Sequence, residues 1–214
     1  MFTDRRDAGR LLAELVADLN LADPVVYTLP RGGVPVALEV ARRLHAPLDL
    51  ILVRKLGAPG FPEVAMGAVV DGENAQMIVN EDVFAETGAD AAGLGRARRR
   101  ELAEIERRRT VYLGERARVS PAGRVVVIVD DGLATGATAK AALAAVKRQG
   151  AARTVLAVPV APDDVVDEMR RLADDVVVVQ IPEQFWAIGQ FYVDFHQLSD
   201  DETVTLLKEA WAGP

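Results

Sequence analysis

Cysteine is absent from the 214 residues of the chain, which excludes disulfides, thiol nucleophiles and thiolate metal sites. Histidine is nearly absent: His45 and His196 lie far apart and form no metal-ligand pair. No run of about 18 apolar residues occurs, so no membrane span is expected. The first residues also lack the apolar stretch of a secretion signal. These absences make the cytoplasm the expected location.

The charge balance argues against a nucleic-acid partner. The chain has 32 acidic residues against 25 basic ones, for a net charge of −7, whereas nucleic-acid binding draws on a basic surface. The one charge run, Arg96–Arg118, interleaves Arg with Glu, including Arg100 and Glu104 at i,i+4 spacing. This pattern favours a solvated, salt-bridged helix or a dimer contact, so a homodimer is left open.

Apolar periodicity predicts an α/β fold. Several strands are apolar throughout, which is typical of parallel strands buried on both faces, and they alternate with helical patterns. We therefore expect one domain over residues 1–214, with a mostly parallel central sheet flanked by helices. The predicted helices are 7–19, 35–44, 90–116, 138–149, 163–172 and 206–211, and the predicted strands are 25–29, 48–56, 68–71, 76–80, 124–129, 154–158 and 176–179.

Residues 125–138 carry the strongest chemical signal. A buried strand ends in Asp130 and Asp131, and a loop with Gly132 and Gly136 leads into a helix that begins near Thr138. Backbone amides at such a helix start favour a phosphate, and ligands of open α/β sheets bind at the carboxyl ends of strands. An acid pair beside an anion site suits a ligand with a phosphate and a diol. An ordinary strand–loop–helix turn would not require two acids, two glycines and two threonines.

This segment resembles the binding motif of type I phosphoribosyltransferases for 5-phosphoribosyl-1-pyrophosphate (PRPP). The resemblance implies their fold and transfer of the 5-phosphoribosyl group to a nitrogenous base, with release of pyrophosphate. It also implies that Asp130 and Asp131 engage the ribose diol and Mg²⁺. The loop that would hold the 5-phosphate comprises Gly132, Leu133, Ala134, Thr135, Gly136, Ala137 and Thr138.

Two other segments fit the same resemblance. Pro30-Arg31-Gly32-Gly33 follows the first strand of the sheet, where members of the family usually hold pyrophosphate, although such a turn also suits a plain strand-to-helix connection. Lys55 precedes the Gly/Pro loop 57–62, where a basic residue can neutralise the departing pyrophosphate; the alternative is a solvated base at a strand edge. Glu63 is a candidate proton donor.

The aromatic tail 182–198 resembles the hood that reads the base in this family. Phe185, Trp186 and Tyr192 are its candidate base-binding residues, although a tail packed over the core by its aromatics is an equally open interpretation. Ala134 stands where the 6-oxopurine branch usually has Asp, which favours the adenine or orotate branches.

The function expected from these segments is that of a PRPP-dependent phosphoribosyltransferase in nucleotide metabolism, with Mg²⁺ as cofactor and PRPP and a base as partners. The alternative is a PRPP- or nucleotide-sensing regulator that uses the same fold without catalysis. Arg31 and Lys55 favour the enzyme, because a sensor could lose both.

Overall fold

The computed structural model describes residues 1–58, 61–72 and 75–212, without the side chains of residues 62 and 63. The elements in chain order are α1 (Arg5–Ala17), β1 (Pro24–Thr28), α2 (Gly33–Leu44), β2 (Leu48–Leu50), β3 (Val53–Ala58), β4 (Phe61–Val70), β5 (Gln76–Val79), α3 (Glu81–Glu86), α4 (Ala91–Leu113), β6 (Val125–Val129), α5 (Ala137–Arg148), β7 (Arg153–Val160), α6 (Asp163–Arg170), β8 (Asp175–Gln180), a 3-10 turn (Ile188–Phe191) and α7 (Asp200–Trp211).

The predicted parallel central sheet is confirmed. Its five strands run in the order β2-β1-β6-β7-β8, and every neighbouring pair is parallel. Alternate residues of β6 enter two apolar clusters on opposite faces of the sheet: Val127 and Val129 in one, Val126 and Ile128 in the other. Burial on both faces explains why this strand is apolar throughout.

Residues 48–56, predicted as one strand, form two strands in different sheets. β2 is the edge of the parallel sheet, whereas β3 pairs antiparallel with β4 in a second sheet, β3-β4-β5. The chain changes sheet at Ile51 and Leu52, where Asp71 accepts a hydrogen bond from the Leu52 amide at 2.9 Å. The prediction was wrong because a partner distant in sequence fixes this break.

The predicted loop 57–62 lies mostly within the β3–β4 hairpin. Gly57 and Ala58 belong to β3, and β4 begins at Phe61, while residues 59 and 60 lie outside the described residues. The predicted strand 68–71 is the end of the longer β4. The turn predicted near Gly72 includes residues 73 and 74, which also lie outside the description.

The helical predictions hold with changes at their ends. α3 was not predicted, and α7 begins at Asp200 rather than near residue 206. α4 is salt-bridged as expected, but Glu104 pairs with Arg107 and Arg108, and Arg100 pairs with the adjacent Glu101. None of the helices in the described parts of the chain is long and apolar enough to cross a bilayer.

Candidate active site

The acid pair lies at the carboxyl end of β6, in the middle of the parallel sheet. Asp131 is 8% exposed, and its Oδ2 accepts a hydrogen bond from Nε of Arg5 at 2.8 Å. Asp130 Oδ1 accepts from the Asp131 amide at 2.9 Å. The strand therefore delivers two carboxylates to one place, and among the described residues Asp131 alone forms an ion pair there.

Burial sets the protonation behaviour of this pair. Loss of hydration raises the pKa of Asp130 well above its usual value, and the charge of Asp131 raises it further. Burial also raises the pKa of Asp131, whereas the Arg5 guanidinium opposes that rise. Asp131 is thus the more easily ionised of the two carboxyls, and a cation would lower the cost of ionising Asp130.

Arg5 belongs to the site although no local pattern indicates it. It lies 126 residues from Asp131 in sequence and is 8% exposed. Its Nη1 donates to the carbonyl of His196 at 2.9 Å, and its guanidinium lies 3.9 Å from the ring centroid of Phe195. Arg5 therefore joins the first helix, the acid pair and the aromatic tail.

The turn after β1 packs directly on the acid pair. β1 and β6 are neighbours in the sheet, and a Cβ atom on Gly32 would overlap the Asp131 carboxylate. A Cβ on Gly33 would lie 3.0 Å from Cα of Asp130, and the Pro30–Arg31 peptide bond is cis. Glycine at position 32 is therefore required by this close approach, and the two predicted segments are brought together.

The loop from Gly132 to Thr138 ends in an open helix start. Gly136 caps α5 in the left-handed region with φ of 68°, which favours glycine. The Leu133 amide donates to the carbonyl of Val160, and the Lys140 amide to that of Gly136, both at 2.9 Å. Between them, the amides of residues 134–139 donate to no acceptor among the residues that the structure describes.

The residues of this loop differ in their exposure to solvent. Leu133 is buried in the core, whereas Ala134, Thr135 and Ala137 are exposed and Thr138 is half-buried. Gly132 approaches Val160 too closely for a side chain. The unbonded amides of Ala134, Thr135 and Ala137 therefore belong to exposed residues of the loop, whereas Gly136 and Ala139 are buried.

The acid pair, the glycine turn and the helix start share one cleft of about 430 Å³. Its walls also include Arg31 and Val53, and the tail residue Phe195. Arg31 Nη1 is 3.7 Å from Asp200 Oδ1. Lys55 is exposed and is not part of the described lining, but it lies two residues beyond Val53 on β3, so both project from the same face of that strand.

The neighbouring base, Arg54, has a structural role instead. Its Nε donates to Glu101 Oε2 at 2.9 Å, and the Glu101 side chain is 7% exposed. This ion pair ties the hairpin sheet to α4. The side chain of Glu63 lies outside the described residues.

The aromatic tail lies beside the cleft, but the three candidate base-binding residues differ in their surroundings. Tyr192 is buried between Phe2 and Phe195, at centroid distances of 5.2 and 5.0 Å, and its hydroxyl donates to the carbonyl of Asp131 at 2.6 Å. Phe185 stacks on Phe191, and Trp186 is 85% exposed. Their role in base binding stays a prediction. Phe195, which lines the cleft, was missed as an individual candidate within the tail.

The chain is similar to known proteins over nearly its whole length. A protein of Mycobacterium tuberculosis is 50% identical to this chain over 210 residues. It occurs in strains CDC 1551 / Oshkosh and H37Rv and is provisionally named a phosphoribosyl transferase. The matched residues are 98% of this chain and 47% of the relative. The chain thus spans about half the length of these curated relatives. The crystal structure of TT1426 from Thermus thermophilus is 45% identical, covers 98% of both chains and superposes with a TM-score of 0.81. The phosphoribosyl transferase domain family matches residues 3–196, and the chain belongs to this family.

Proposed function

We propose that the cleft binds PRPP together with Mg²⁺ and transfers its 5-phosphoribosyl group to a nitrogenous base. The bond from C1 of the ribose to pyrophosphate breaks, a bond from C1 to the base nitrogen forms, pyrophosphate leaves, and the proton of that nitrogen passes to pyrophosphate or water. The observation that carries this proposal is that the start of α5, where the amides of residues 134–139 donate to no acceptor in the described chain, reaches through Thr138 the same cleft as Asp130 and Asp131.

Each part of PRPP has a chemically matched partner in the cleft. The 5-phosphate would accept hydrogen bonds from the amides at the start of α5, where the helix dipole also favours negative charge. The ribose hydroxyls would donate to Asp130 and Asp131. The pyrophosphate would lie over Gly32 and Gly33, where the missing side chains allow close approach and Arg31 offers a bidentate donor.

The donor set of the cleft fits Mg²⁺. This cation prefers oxygen ligands and is usually held by one or two carboxylates plus substrate oxygens. Asp130 and Asp131 supply two carboxylates in the cleft. Asp130 would be a direct ligand, while Arg5 orients Asp131 through its Oδ2. When bound, Mg²⁺ supplies positive charge against the pyrophosphate oxygens. The same charge would favour the ionised form of Asp130.

Lys55 and Arg31 are the residues that would stabilise the departing group. The transition state would resemble an oxocarbenium ion, with negative charge growing on pyrophosphate. A group accelerates this step only if it stabilises that charge more than it stabilises bound PRPP. Lys55 lies on the same face of β3 as Val53, which lines the cleft, and precedes the hairpin connection. An inward movement of its long side chain would place an ammonium group near the pyrophosphate.

The acceptor would meet the tail side of the cleft. Phe195 presents an aromatic ring there, beside Arg5. Ala134 leaves no carboxylate at the position that the 6-oxopurine branch uses for proton exchange. We therefore expect adenine or orotate rather than hypoxanthine or guanine.

A panel of bases incubated with PRPP and Mg²⁺, with release of pyrophosphate as the readout, tests the proposal. We expect release with adenine or orotate, and none without base. A chain that binds PRPP in the micromolar range but releases no pyrophosphate with any base would be a sensor, and the enzymatic proposal would be wrong.

A further inference from the structure

Asp200 lies just outside the cleft and forms an ion pair with a residue of the cleft wall. Its Oδ1 is 3.7 Å from Nη1 of Arg31. Arg31 lines the cleft, whereas Asp200 is not part of the described lining. Arg31 belongs to the turn after β1, and Asp200 is the first residue of α7. The Arg31 side chain therefore links the cleft to the start of the last helix.

Asp200 is held from its other side by a buried tyrosine. Tyr112 on α4 is 2% exposed, and its hydroxyl donates to Asp200 Oδ1 at 2.6 Å. Because a buried ring is close-packed by its neighbours, its hydroxyl fixes the place of this carboxylate. The start of α7 also favours negative charge through the helix dipole. The Asp200 carboxylate is therefore a fixed negative charge beside the cleft.

The guanidinium of Arg31 is held less firmly. Its distance of 3.7 Å to Asp200 suits an ion pair but is too long for a hydrogen bond. The backbone is fixed, because the Arg31 carbonyl accepts from the Val34 amide at 3.1 Å, while the side chain is 31% exposed. The side chain can therefore turn on a fixed backbone, and its N–H donors are free to meet a ligand oxygen.

The nearby cations of α4 are committed to another acid. Arg108 lies one helical turn before Tyr112, and its Nε is 2.7 Å from Glu104. Nε of Arg107 is 2.9 Å from the same Glu104. Among the residues that the structure describes, Arg31 is thus the cation within ion-pair distance of Asp200.

We propose that Asp200 is a positioning residue, which holds Arg31 at the edge of the empty cleft and takes it back when pyrophosphate leaves. This role rests on the proposed function, because it assigns pyrophosphate to the turn at Gly32 and Gly33. Pyrophosphate there competes with Asp200 for one guanidinium, and two parallel N–H···O bonds to a phosphate are stronger than one long ion pair. Tyr112 prevents the carboxylate from following Arg31. The competition lowers the affinity for pyrophosphate and speeds its release.

Calorimetric titration of the full chain with pyrophosphate and Mg²⁺ tests this role. Asp200→Asn removes the competing charge, while its amide oxygen can still accept from the Tyr112 hydroxyl. We expect pyrophosphate to bind roughly two- to fivefold tighter, the range that a partly exposed ion pair contributes, with an unchanged melting temperature. In turnover assays, inhibition by the product pyrophosphate should strengthen by the same factor. A structural role would have the opposite sign, because disturbing the cleft wall weakens binding.

Two further variants separate this exchange from a general loss of negative charge. Asp201→Asn removes the same charge at the next position of α7, where Asp201 lines a different cavity, and should leave the affinity unchanged. Arg31→Gln should weaken pyrophosphate binding, and adding Asp200→Asn to it should restore nothing. An equal gain in Asp201→Asn, or a gain from Asp200→Asn that persists without Arg31, would overturn the proposal.

This role and the proposed function can fail separately. If no base releases pyrophosphate from PRPP, yet Asp200→Asn tightens pyrophosphate binding through Arg31, the transferase proposal is wrong and the positioning role stands. If pyrophosphate is released but Asp200→Asn leaves its affinity equal or weaker, the positioning role is wrong and the proposed function stands. A wild-type chain that binds no pyrophosphate with Mg²⁺ would overturn both.

Discussion

At the scale of single residues, the acid pair depends on Arg5. Breaking a buried ion pair by removing one partner leaves an unpaired buried charge, which is strongly destabilising. Arg5→Met should therefore lower the free energy of unfolding by about 3–5 kcal/mol in urea titrations at neutral pH. Arg6→Met is the matched control, because its pairs with Glu39 and Glu209 are partly exposed and should each contribute at most about 1 kcal/mol. Equal losses in both variants would contradict the structural importance of the Arg5 pair.

Thr138 tests the phosphate site. It is half-buried at the start of α5 and lines the cleft, so its hydroxyl can donate to the 5-phosphate. Thr138→Val keeps the shape and removes that donor, which should weaken PRPP binding by about 1.5–3 kcal/mol, the range for hydrogen bonds to charged groups. Calorimetric titration with PRPP and Mg²⁺ measures this change. Thr110→Val on the exposed face of α4 should leave the affinity unchanged, and an equal affinity in Thr138→Val would remove this residue from the site.

Lys55 separates catalysis from binding. If it stabilises charge that grows on pyrophosphate, its contribution is larger in the transition state than in the bound state. Lys55→Ala should then lower the turnover rate at saturating PRPP by at least tenfold more than it lowers PRPP affinity. Rapid-mix assays with the base found in the panel measure both quantities, with Lys208→Ala as an exposed control. Proportional losses of rate and affinity would make Lys55 a binding residue only.

The sequence predicted some of these residues and missed others for a physical reason. One strand–loop–helix pattern in the sequence identifies Asp130, Asp131 and the loop to Thr138, because these residues are contiguous. Arg5 comes from a different element, and only the packing of α1 against the sheet brings it to Asp131. Phe195 was visible as part of an aromatic run, but nothing local distinguishes it from the packed Tyr192.

At the scale of elements, the missed helix start at α7 had a readable signal. Ser199 accepts from the Glu202 amide at 3.2 Å, and Glu202 accepts from the Ser199 amide at 2.8 Å, which is the capping box that Ser-x-x-Glu encodes. The break between β2 and β3 had no such signal, because Asp71 fixes it from 19 residues away. A local capping pattern therefore predicts the start of α7, whereas no local pattern predicts the break between β2 and β3.

The capping box also predicts a pH dependence. Hydrogen bonds from Ser199 lower the pKa of Glu202 to about 2, so the folded chain favours the ionised carboxylate. Its contribution to stability is present above about pH 4.5, the ordinary Glu range, and is lost as pH falls towards 2. Glu202→Gln keeps a capping side chain without titrating. It should therefore lose less stability than the wild type between pH 5 and 2, measured by urea unfolding at each pH, with Glu183→Gln as an exposed acid outside the helices. Parallel pH curves for the wild type and Glu202→Gln would contradict the shift.

At the scale of the whole molecule, the carboxyl ends of β1 and β6 bring both predicted anion sites to one edge of the sheet. That placement follows from parallel topology, in which neighbouring strands end on the same side. The hairpin sheet then adds Val53 to this cleft from one side, and the tail adds Phe195 from the other. Segments from most of the chain therefore meet at the cleft, and a ligand held there links them.

PRPP should consequently stabilise the whole fold. A ligand that binds only the folded state adds about 2.7 kcal/mol at a hundredfold excess over its Kd, and for a domain of this size 1 kcal/mol raises Tm by about 2–4 °C. We expect PRPP with Mg²⁺ to raise Tm by about 5–10 °C, from those two relations. Asp130→Asn should abolish most of this rise while keeping the fold, because loss of hydration raises the pKa of the Asp130 carboxyl and a neutral amide suits its surroundings. Asp164→Asn, at the surface start of α6, should show the full rise. An unchanged rise in Asp130→Asn would mean that PRPP stabilises the chain from somewhere other than this acid pair.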